Sequence, residues 1–221
     1  MKLEIFGDSI LKGVIYKDKK YLLSEDNKYN LLNNKGITVN NFSRMGATIE
    51  KGNSIINRKI ENIEQGSTVL LEFGGNDCNY NWKEISDNPE IDIEPFTAPD
   101  KFINDYKNII KNLKSKGFKV VVSNLIPISA KKYMNFITKG LNYNNILKWL
   151  GDIEHLYRWQ EYYNTLVEKI AKDENCEILD LRSSFLKHNF ENLICDDGIH
   201  PTQNGHNLIA NSLLEFAAAE A

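Results

Sequence analysis

The chain has 221 residues, of which 42 % are hydrophobic and 26 % charged, enough apolar material for one domain with a sizeable core. Its 27 basic and 30 acidic side chains give a formal net charge of −3, which argues against a protein that binds the phosphate backbone of nucleic acids. No apolar run approaches the ~20 residues of a membrane span, and the start MKLEIFGDS lacks the apolar segment of a signal peptide, so we expect a cytoplasmic protein with no membrane partner.

Short runs of β-forming residues alternate along the chain with longer segments of helical periodicity. In chain order, strands are predicted at Lys2–Phe6, Ile37–Phe42, Thr68–Phe73, Lys119–Asn124 and Glu177–Leu181. Helices are predicted at Thr48–Ile63, Pro99–Lys116 and Ile153–Lys172, with a last one from Pro201 through Phe216. This alternation indicates the α/β class, with a central parallel sheet of about five strands and helices on both faces.

No repeat or low-complexity linker divides the chain, so residues 1–221 are predicted to form a single domain. The acidic, proline-bearing stretch Asp87–Pro99 is typical of a long loop. Residues 129–152 are weakly patterned and contain several aromatic side chains, which makes them a candidate lid-like insertion over the sheet edge. The terminal residues 217–221, AAAEA, are interpreted either as the tail of the last helix or as an appended tail.

Polar and glycine-containing motifs follow the predicted strands, at the edge of a parallel sheet where functional residues gather. In chain order they are Gly7-Asp8-Ser9 after the first strand, residues 43–48 after the second, residues 74–77 after the third and residues 196–201 beyond the fifth. The strand ends therefore supply a serine, a glycine, an asparagine and an Asp-x-x-His pattern.

These are the groups that acyl transfer requires. A serine hydroxyl is a weak nucleophile until a neighbouring base accepts its proton, and His200 is suited to that role near neutral pH. Asp197 lies three residues before His200, so a tight turn can bring its carboxylate to the second ring nitrogen. The oxyanion needs donors that are already in place, for which the backbone N–H beside Gly46, the Asn76 amide and the Ser9 N–H are candidates.

In this order, the segments FGDSI, SRMGAT, FGGND and DGIHP resemble the four sequence blocks of the SGNH (GDSL) hydrolases, from residue 4 to about residue 210. The resemblance implies a flavodoxin-like, three-layer α/β/α sandwich and ester hydrolysis through an acyl-enzyme, with no metal or organic cofactor. By position, it implies Ser9 as the nucleophile, His200 as the base and Asp197 as its orienting carboxylate. It also implies an oxyanion hole formed by the Ser9 N–H with Gly46 and Asn76. The first block reads GDSI rather than GDSL, a small departure.

Each motif also has a purely structural interpretation. Gly-Asp-Ser alone is typical of a turn with a helix cap, in which Asp8 is the acceptor that fixes the turn. His206 is the rival base and Asp196 is the rival carboxylate. We prefer His200 because it precedes the last helix, and Asp197 because an immediate neighbour points elsewhere on the turn.

Neither a metal site nor a phosphate-transfer site is indicated. The acidic residues and histidines of residues 196–206 match no familiar ligand spacing. The three cysteines form no CxxC pair and are predicted to be free thiols, and the Walker pattern is absent. The remaining histidines, His155 and His188, have polar neighbours in the sequence and are predicted to be solvated.

The substrate is predicted from residues 79–82, which follow the third block and border the site. An aromatic ring flanked by amides suits a sugar face, so Asp8, Tyr80 and Trp82 are candidate substrate contacts and a small-molecule or carbohydrate ester is the expected partner. The alternative for Trp82 is that it only packs the loop. The alternative functions are a lysophospholipase- or thioesterase-like enzyme with an apolar groove, and a non-catalytic binding protein on the same fold. No pattern in the sequence indicates an oligomeric state.

Overall fold

The computed structural model describes residues 1–24 and 28–219 of the chain. Its strands are β1 Lys2–Gly7, β2 Val14–Lys17, β3 Lys20–Leu23, β4 Thr38–Asn41, β5 Thr68–Glu72, β6 Lys119–Ser123 and β7 Glu177–Leu179. Its α-helices are α1 Ser9–Lys12, α2 Lys28–Asn33, α3 Ile49–Lys59, α4 Trp82–Asp87, α5 Pro99–Ser115, α6 Ala130–Ile137, α7 Tyr143–Leu150, α8 His155–Asp173, α9 Leu181–Leu186 and α10 Gln203–Ala219.

Five strands form one parallel sheet in the order β4-β1-β5-β6-β7. This is the strand order of flavodoxin-like folds, in which the chain reverses direction across the sheet beside the first strand. The predicted α/β class with a five-stranded parallel sheet and helices around it is confirmed. The carboxyl ends of β1 and β5 lie side by side, with Gly7 paired to Glu72 in the register, and this brings the motifs that follow them together.

Side chains of the central strands alternate between the two faces of the sheet, as a pleated strand requires. On one face, Phe6, Leu71 and Val122 pack against the apolar sides of α3, α5 and α8. On the other face, Ile5 and Leu70 pack against α1, α2, α9 and α10. Strands buried on both faces consist of nearly continuous apolar runs, and such runs are the signal that predicted them from the sequence.

The last helix begins at Gln203, so the prediction that it begins at Pro201 is wrong. Pro201 instead forms an isolated antiparallel bridge with Ile194. The Thr202 hydroxyl then accepts a hydrogen bond from the Gly205 N–H at 3.3 Å, which is the bond a helix cap makes. The proline therefore ends an extended segment before the helix rather than opening its first turn.

The fifth sheet strand ends at Leu179, two residues earlier than predicted. Asp180 ends it because its side chain accepts the Ser183 N–H at 2.9 Å and caps α9, a helix that the sequence pattern did not predict. At the carboxyl end of the chain, α10 continues through Ala219, so the predicted helix tail is present up to that residue, while residues 220–221 lie outside the described residues.

An antiparallel hairpin of β2 and β3 follows α1 directly and is absent from the sequence-based prediction. Its two central residues, Asp18 and Lys19, have φ values of 51° and 60°. Positive φ at both positions is the geometry of a type I′ hairpin turn, which Asn-Gly usually signals. Here the charged pair Asp-Lys occupies the turn, within the segment KDKK at residues 17–20. The sequence therefore lacks the usual signal for a hairpin.

Residues 129–152 fold into α6 and α7, with Ser129 and Asn142 as their capping side chains. The apolar sides of the two helices, including Met134 and Ile146, join a third buried cluster with residues of the 79–93 segment and the start of α8. Asp87–Pro99 is a loop between α4 and α5, apart from its terminal residues, as predicted. A lid function for residues 129–152 stays a prediction.

Candidate active site

The Gly7-Asp8-Ser9 turn joins β1 to α1 and places Ser9 in the wall of a cavity of about 70 Å³, here called the Ser9 cavity. Asp8 caps α1, because its Oδ1 atom accepts the Ile10 N–H at 2.8 Å. A Cβ atom on Gly7 would lie 2.9 Å from Glu72 Oε2 and 3.1 Å from the Glu72 carbonyl oxygen, so a larger residue would crowd β5 at the turn.

Ser9, His200 and Asp197 form one hydrogen-bonded line, although Ser9 and His200 are 191 residues apart in the chain. The distance from Ser9 Oγ to His200 Nε2 is 2.8 Å, and that from His200 Nδ1 to Asp197 Oδ2 is 2.5 Å. All three side chains are buried, with Asp197 fully so. The carboxylate therefore holds the ring through Nδ1 and leaves Nε2 facing the serine hydroxyl, which is the tautomer that proton abstraction needs.

The turn that carries Asp197 and His200 is held from both sides. Asp197 Oδ1 accepts the backbone N–H groups of Ile199 and His200, each at 3.1 Å. Gly198 has a φ of +80°, and its carbonyl oxygen accepts the Ser129 N–H at 2.9 Å. Asp196, the rival carboxylate, is exposed and makes no contact with the ring among the contacts found in the described part of the chain. The structure therefore brings Asp197, not Asp196, to His200.

The predicted oxyanion donors differ in whether they line the Ser9 cavity and in whether they already have acceptors within the protein. Asn76 lines the Ser9 cavity, but its Nδ2 atom already donates to Asp8 Oδ2 at 2.9 Å and to the Ala47 carbonyl oxygen at 3.2 Å. Gly46 lies in an exposed turn with φ +68° and is not among the described residues that line the cavity. Ser9 contributes its N–H at the start of α1. The oxyanion role of these groups stays a prediction.

The three candidate substrate contacts are mostly engaged within the protein. Asp8 is buried, and its two oxygens accept hydrogen bonds from Ile10 and from Asn76, which is the arrangement that fixes the turn. Burial raises the pKa of Asp8, while these hydrogen bonds lower it. Tyr80 is buried, and the Trp82 indole N–H is directed at Asn79. A sugar-stacking role for Tyr80 and Trp82 therefore requires a ligand that reaches between packed rings.

A second cavity, of about 50 Å³ and here called the aromatic cavity, adjoins the Ser9 cavity. Tyr80, Trp82, Tyr133 and Trp159 contribute aromatic side chains to its wall. The two cavities share the wall residues Gly75, Asn79, Ile128, Gln160 and Ile199. The Ser9 cavity therefore has an apolar, mainly aromatic cavity as its immediate neighbour.

The remaining histidines have other roles. His206, the rival base, donates from Nε2 to the Val14 carbonyl oxygen at 2.9 Å and so ties α10 to the hairpin. His188 is exposed, as expected. The prediction that His155 is solvated is wrong, because its ring is half-buried against Trp149 and Trp159 and lines the aromatic cavity. Both tryptophans lie within six residues of His155 in the sequence, so their spacing was an available signal.

Two residues near the site were missed by the sequence analysis. Tyr21, from the unpredicted hairpin, packs edge-on against His200 with 5.3 Å between ring centroids, and burial together with Asp197 raises its pKa to about 12. Asp77 is fully buried and accepts hydrogen bonds from the Ile49 N–H at 3.0 Å and the Thr97 hydroxyl at 2.7 Å. Burial raises the Asp77 pKa to about 6. Its position inside the FGGND block was the available signal, and the contacts indicate a structural role.

Within residues 1–24 and 28–219, no three His, Cys, Asp or Glu side chains are grouped so as to hold a metal ion. None of the helices in the same residues has the length and apolar composition to cross a membrane. The cysteines Cys78, Cys176 and Cys195 are free thiols. What the arrangement offers chemically is a hydroxyl whose proton has an adjacent, oriented acceptor, beside a small cavity.

Comparison with known proteins places this geometry in context. A family model described as GDSL-like lipase/acylhydrolase matches residues 5–208. No curated protein matches the sequence. Among solved structures, the chain is similar to a lipase/acylhydrolase from Enterococcus faecalis, with 17 % identity, a TM-score of 0.66 and coverage of 99 % of this chain and 96 % of that one.

Two further structures are similar over nearly the whole chain. One is titled an acetyl xylan esterase and has 22 % identity, a TM-score of 0.63 and coverage of 98 % of this chain and 99 % of that one. The other is a variant of an acetyl-xylooligosaccharide esterase from Geobacillus, with 19 % identity, a TM-score of 0.65 and coverage of 97 % and 92 %. At these identities the likeness shows a shared fold.

Proposed function

This chain belongs to the GDSL-like lipase/acylhydrolase family and is an ester-hydrolysing enzyme, and from that premise we propose that it is a serine esterase for small or carbohydrate-linked, acetyl-type esters. The observation that carries the proposal is the buried line from Asp197 through His200 to Ser9, with 2.5 Å and 2.8 Å between successive atoms. Nothing in a turn-and-cap interpretation of Gly-Asp-Ser requires a histidine and a carboxylate to be aligned on the hydroxyl.

In the proposed mechanism, Ser9 Oγ attacks the ester carbonyl carbon while its proton passes to His200 Nε2. Asp197 stabilises the imidazolium that forms, through the hydrogen bond at Nδ1. His200 then donates the proton to the departing alkoxide, which leaves an acyl group on Ser9. Water attacks this acyl-enzyme while its proton passes to His200, and collapse of the second tetrahedral species returns the proton to Ser9 and releases the acid.

We assign the negative charge on the tetrahedral oxygen to the Ser9 N–H and the Asn76 amide, which belong to the wall of the Ser9 cavity, and to the N–H at Gly46, which must approach from the exposed turn. Because both Asn76 amide hydrogens have acceptors in this structure, its contribution requires the bond to the Ala47 carbonyl, the longer of the two at 3.2 Å, to be released or shared. The Asp8 carboxylate keeps the other hydrogen and so orients the amide.

Small acyl groups are favoured by the size of the site. The Ser9 cavity and the aromatic cavity measure about 70 and 50 Å³, which is room for a short acyl group of a few carbon atoms rather than for a lipid chain. Two of the similar structures are titled as acetyl esterases of xylan and xylooligosaccharides, and this supports an acetylated carbohydrate as the substrate class here.

The test is hydrolysis of 4-nitrophenyl acetate by wild type and Ser9→Ala, with Ser54→Ala, an exposed serine on α3, as the matched control. Loss of the nucleophile should lower kcat/KM by ~10⁴-fold or more, while the control stays at the wild-type rate. Labelling of Ser9 by a fluorophosphonate checks the nucleophile without a substrate. Equal rates for wild type and Ser9→Ala would refute the mechanism, and absence of both labelling and hydrolysis in the folded protein would favour a non-catalytic binding protein. A preference for long over short nitrophenyl esters would refute the acetyl-type assignment in favour of a lipid or thioester substrate.

A further inference from the structure

The carboxamide of Asn79 has a fixed orientation. Its Oδ1 atom lies 2.9 Å from the Tyr80 backbone nitrogen, 2.8 Å from Trp82 Nε1 and 2.8 Å from the Tyr133 hydroxyl. A backbone N–H and an indole N–H can only donate, so the atom they face must be the oxygen and cannot be the amide nitrogen. The three donors come from the 79–82 segment and from α6, and both are packed into the third buried cluster.

The Nδ2 atom of Asn79 lies on the opposite side of the carboxamide from these donors. No residue in the described part of the chain accepts a hydrogen bond from it, although Asn79 is only partly exposed. Asn79 belongs to the shared wall of the Ser9 cavity and the aromatic cavity. Asn79 therefore carries an oriented donor with no acceptor among the described residues, on a residue that lines both cavities.

A donor in this position discriminates between ligands. A ligand that fills the site with an apolar group displaces the water available to Nδ2 and leaves the donor unpaired, which weakens its binding. A ligand that places an oxygen there keeps the donor paired. The aromatic cavity is lined mainly by rings and aliphatic side chains, and Asn79 is one of its few polar wall residues, with Gln160 and His155. In such sites a few polar groups determine specificity.

The group that meets this donor is assigned to the acyl half of the ester. The carbonyl carbon must sit at Ser9 Oγ, and the leaving oxygen must stay near His200 Nε2 to receive its proton. The hairpin residue Tyr21 packs against His200, and the alcohol is assigned to that side. The acyl group then extends toward the other wall of the Ser9 cavity, which Asn79 shares with the aromatic cavity.

We propose that Asn79 is a specificity-determining residue, whose Nδ2 donates a hydrogen bond to an oxygen within a short acyl group, such as the ether or hydroxyl oxygen of an α-oxygenated acyl chain. The proposal rests on the proposed serine esterase function and departs from its acetyl-type assignment: among short acyl groups, it favours those that carry an acceptor close to the ester carbonyl over acetyl itself.

The experiment compares two nitrophenyl esters of nearly equal shape, 4-nitrophenyl methoxyacetate and 4-nitrophenyl butyrate, in which an ether oxygen replaces a methylene group. The measured quantity is the ratio of their kcat/KM values for each enzyme variant. Both esters are assayed on the same sample, so the ratio does not depend on the fraction of active enzyme. Comparing the ratio between variants removes the greater intrinsic reactivity of the methoxyacetate.

Asn79→Asp is the informative variant, because one carboxylate oxygen can still accept from Tyr80, Trp82 and Tyr133 while the other replaces the donor with an acceptor. Asn79→Ala removes the side chain altogether and shows whether the effect needs the introduced charge. Asn57→Asp adds the same charge on the exposed side of α3 and serves as the control. Ser9→Ala, measured in parallel, reports on the proposed esterase function itself.

We expect the methoxyacetate-to-butyrate ratio to fall by about 10-fold in Asn79→Asp and by several-fold in Asn79→Ala, with no change in Asn57→Asp. An unchanged ratio overturns the role of Asn79 and leaves the esterase proposal standing. Equal losses of kcat/KM for both esters are one form of an unchanged ratio, and they would assign the donor to the carbonyl oxygen that all esters share. If Ser9→Ala hydrolyses both esters as fast as wild type, the esterase proposal and this inference fail together.

Discussion

Gly198 connects Asp197 to the His200 turn, and replacing it with alanine should damage both stability and activity. Its φ of +80° is a conformation that an L side chain adopts only with strain, at a cost of about 1–2 kcal/mol. In addition, a Cβ atom built on Gly198 would lie 2.2 Å from the Tyr133 backbone nitrogen and 2.6 Å from its Cα. Backbone atoms of a helix cannot rotate away, so either α6 or the turn has to move.

The size of the effect follows from these distances. An ordinary contact begins at 3.4 Å, so the turn or the helix must shift by about 1 Å. A displacement of ~1 Å between reacting groups lowers a rate by about 10²-fold. The strain and the lost packing together should lower the free energy of unfolding by roughly 3 kcal/mol. We therefore expect Gly198→Ala to fold with reduced stability and to hydrolyse 4-nitrophenyl acetate about 10²-fold more slowly than wild type.

Gly140 provides a matched control. It has a φ of +77°, and a Cβ atom there would meet nothing within 4 Å. Gly140→Ala thus carries the same backbone strain without the contact, and should lose about 1 kcal/mol of stability with no change in kcat/KM. Urea unfolding and steady-state kinetics on both variants separate strain from displacement. If Gly198→Ala keeps kcat/KM within threefold of Gly140→Ala, the contact between α6 and the turn does not hold the catalytic geometry, and the reasoning is wrong.

Two further predictions concern buried carboxylates. Asp197→Asn should lower kcat by about 10³- to 10⁴-fold, because an amide does not hold His200 in the required tautomer. The control Asp196→Asn, at the exposed neighbouring residue, should match wild type. Equal kcat values for the two variants in steady-state assays would argue against the choice of Asp197. In the folded protein, burial raises the Asp77 pKa to about 6, against 3.8 for an unperturbed aspartate. The folded state therefore binds this proton more tightly than the unfolded state does. The contribution of the bound proton to the free energy of unfolding is fully present below pH 4 and is lost as the pH rises through 6. On lowering the pH from 7 to 5, the free energy of unfolding of wild type should rise by about 1 kcal/mol relative to Asp77→Asn, and parallel pH profiles of the two proteins in urea unfolding would contradict this.

The sheet and the residues at its strand ends could be predicted because their signals are local. Buried parallel strands are short apolar runs, and the motifs that carry chemistry follow them directly in the sequence. This is why the order of residues along the chain is enough to point to Ser9, Asn76 and His200. The offset of three residues between Asp197 and His200 was also sufficient, because a side chain can reach the ring of a residue one tight turn away.

Residues 79–82 were predicted to border the site, and three of them line the aromatic cavity. The contacts of the walls could not be predicted, because they join segments that are distant in the chain. Tyr21 reaches His200 from a hairpin whose turn, Asp18-Lys19, lacks the usual glycine or asparagine signal. Asn79 depends on Tyr133, which is 54 residues further along the chain. Nothing in the sequence near either residue indicates these partners, so the chemistry of this enzyme was easier to predict than its specificity.

The serine and the histidine come from the first and the last parts of the fold, and their separation makes activity dependent on several tertiary bonds. The segment after Ser9 is fixed by Asn41, which donates to the Leu11 carbonyl oxygen at 2.9 Å, and by His206, which binds the Val14 carbonyl oxygen. Because His206 is on α10, the same bond also fixes the helix that follows His200. The docking of α10 therefore supports the 2.8 Å contact between Ser9 and His200. Loosening of α10 should for this reason reduce activity before the sheet itself unfolds, since the sheet strands do not need α10 to pair.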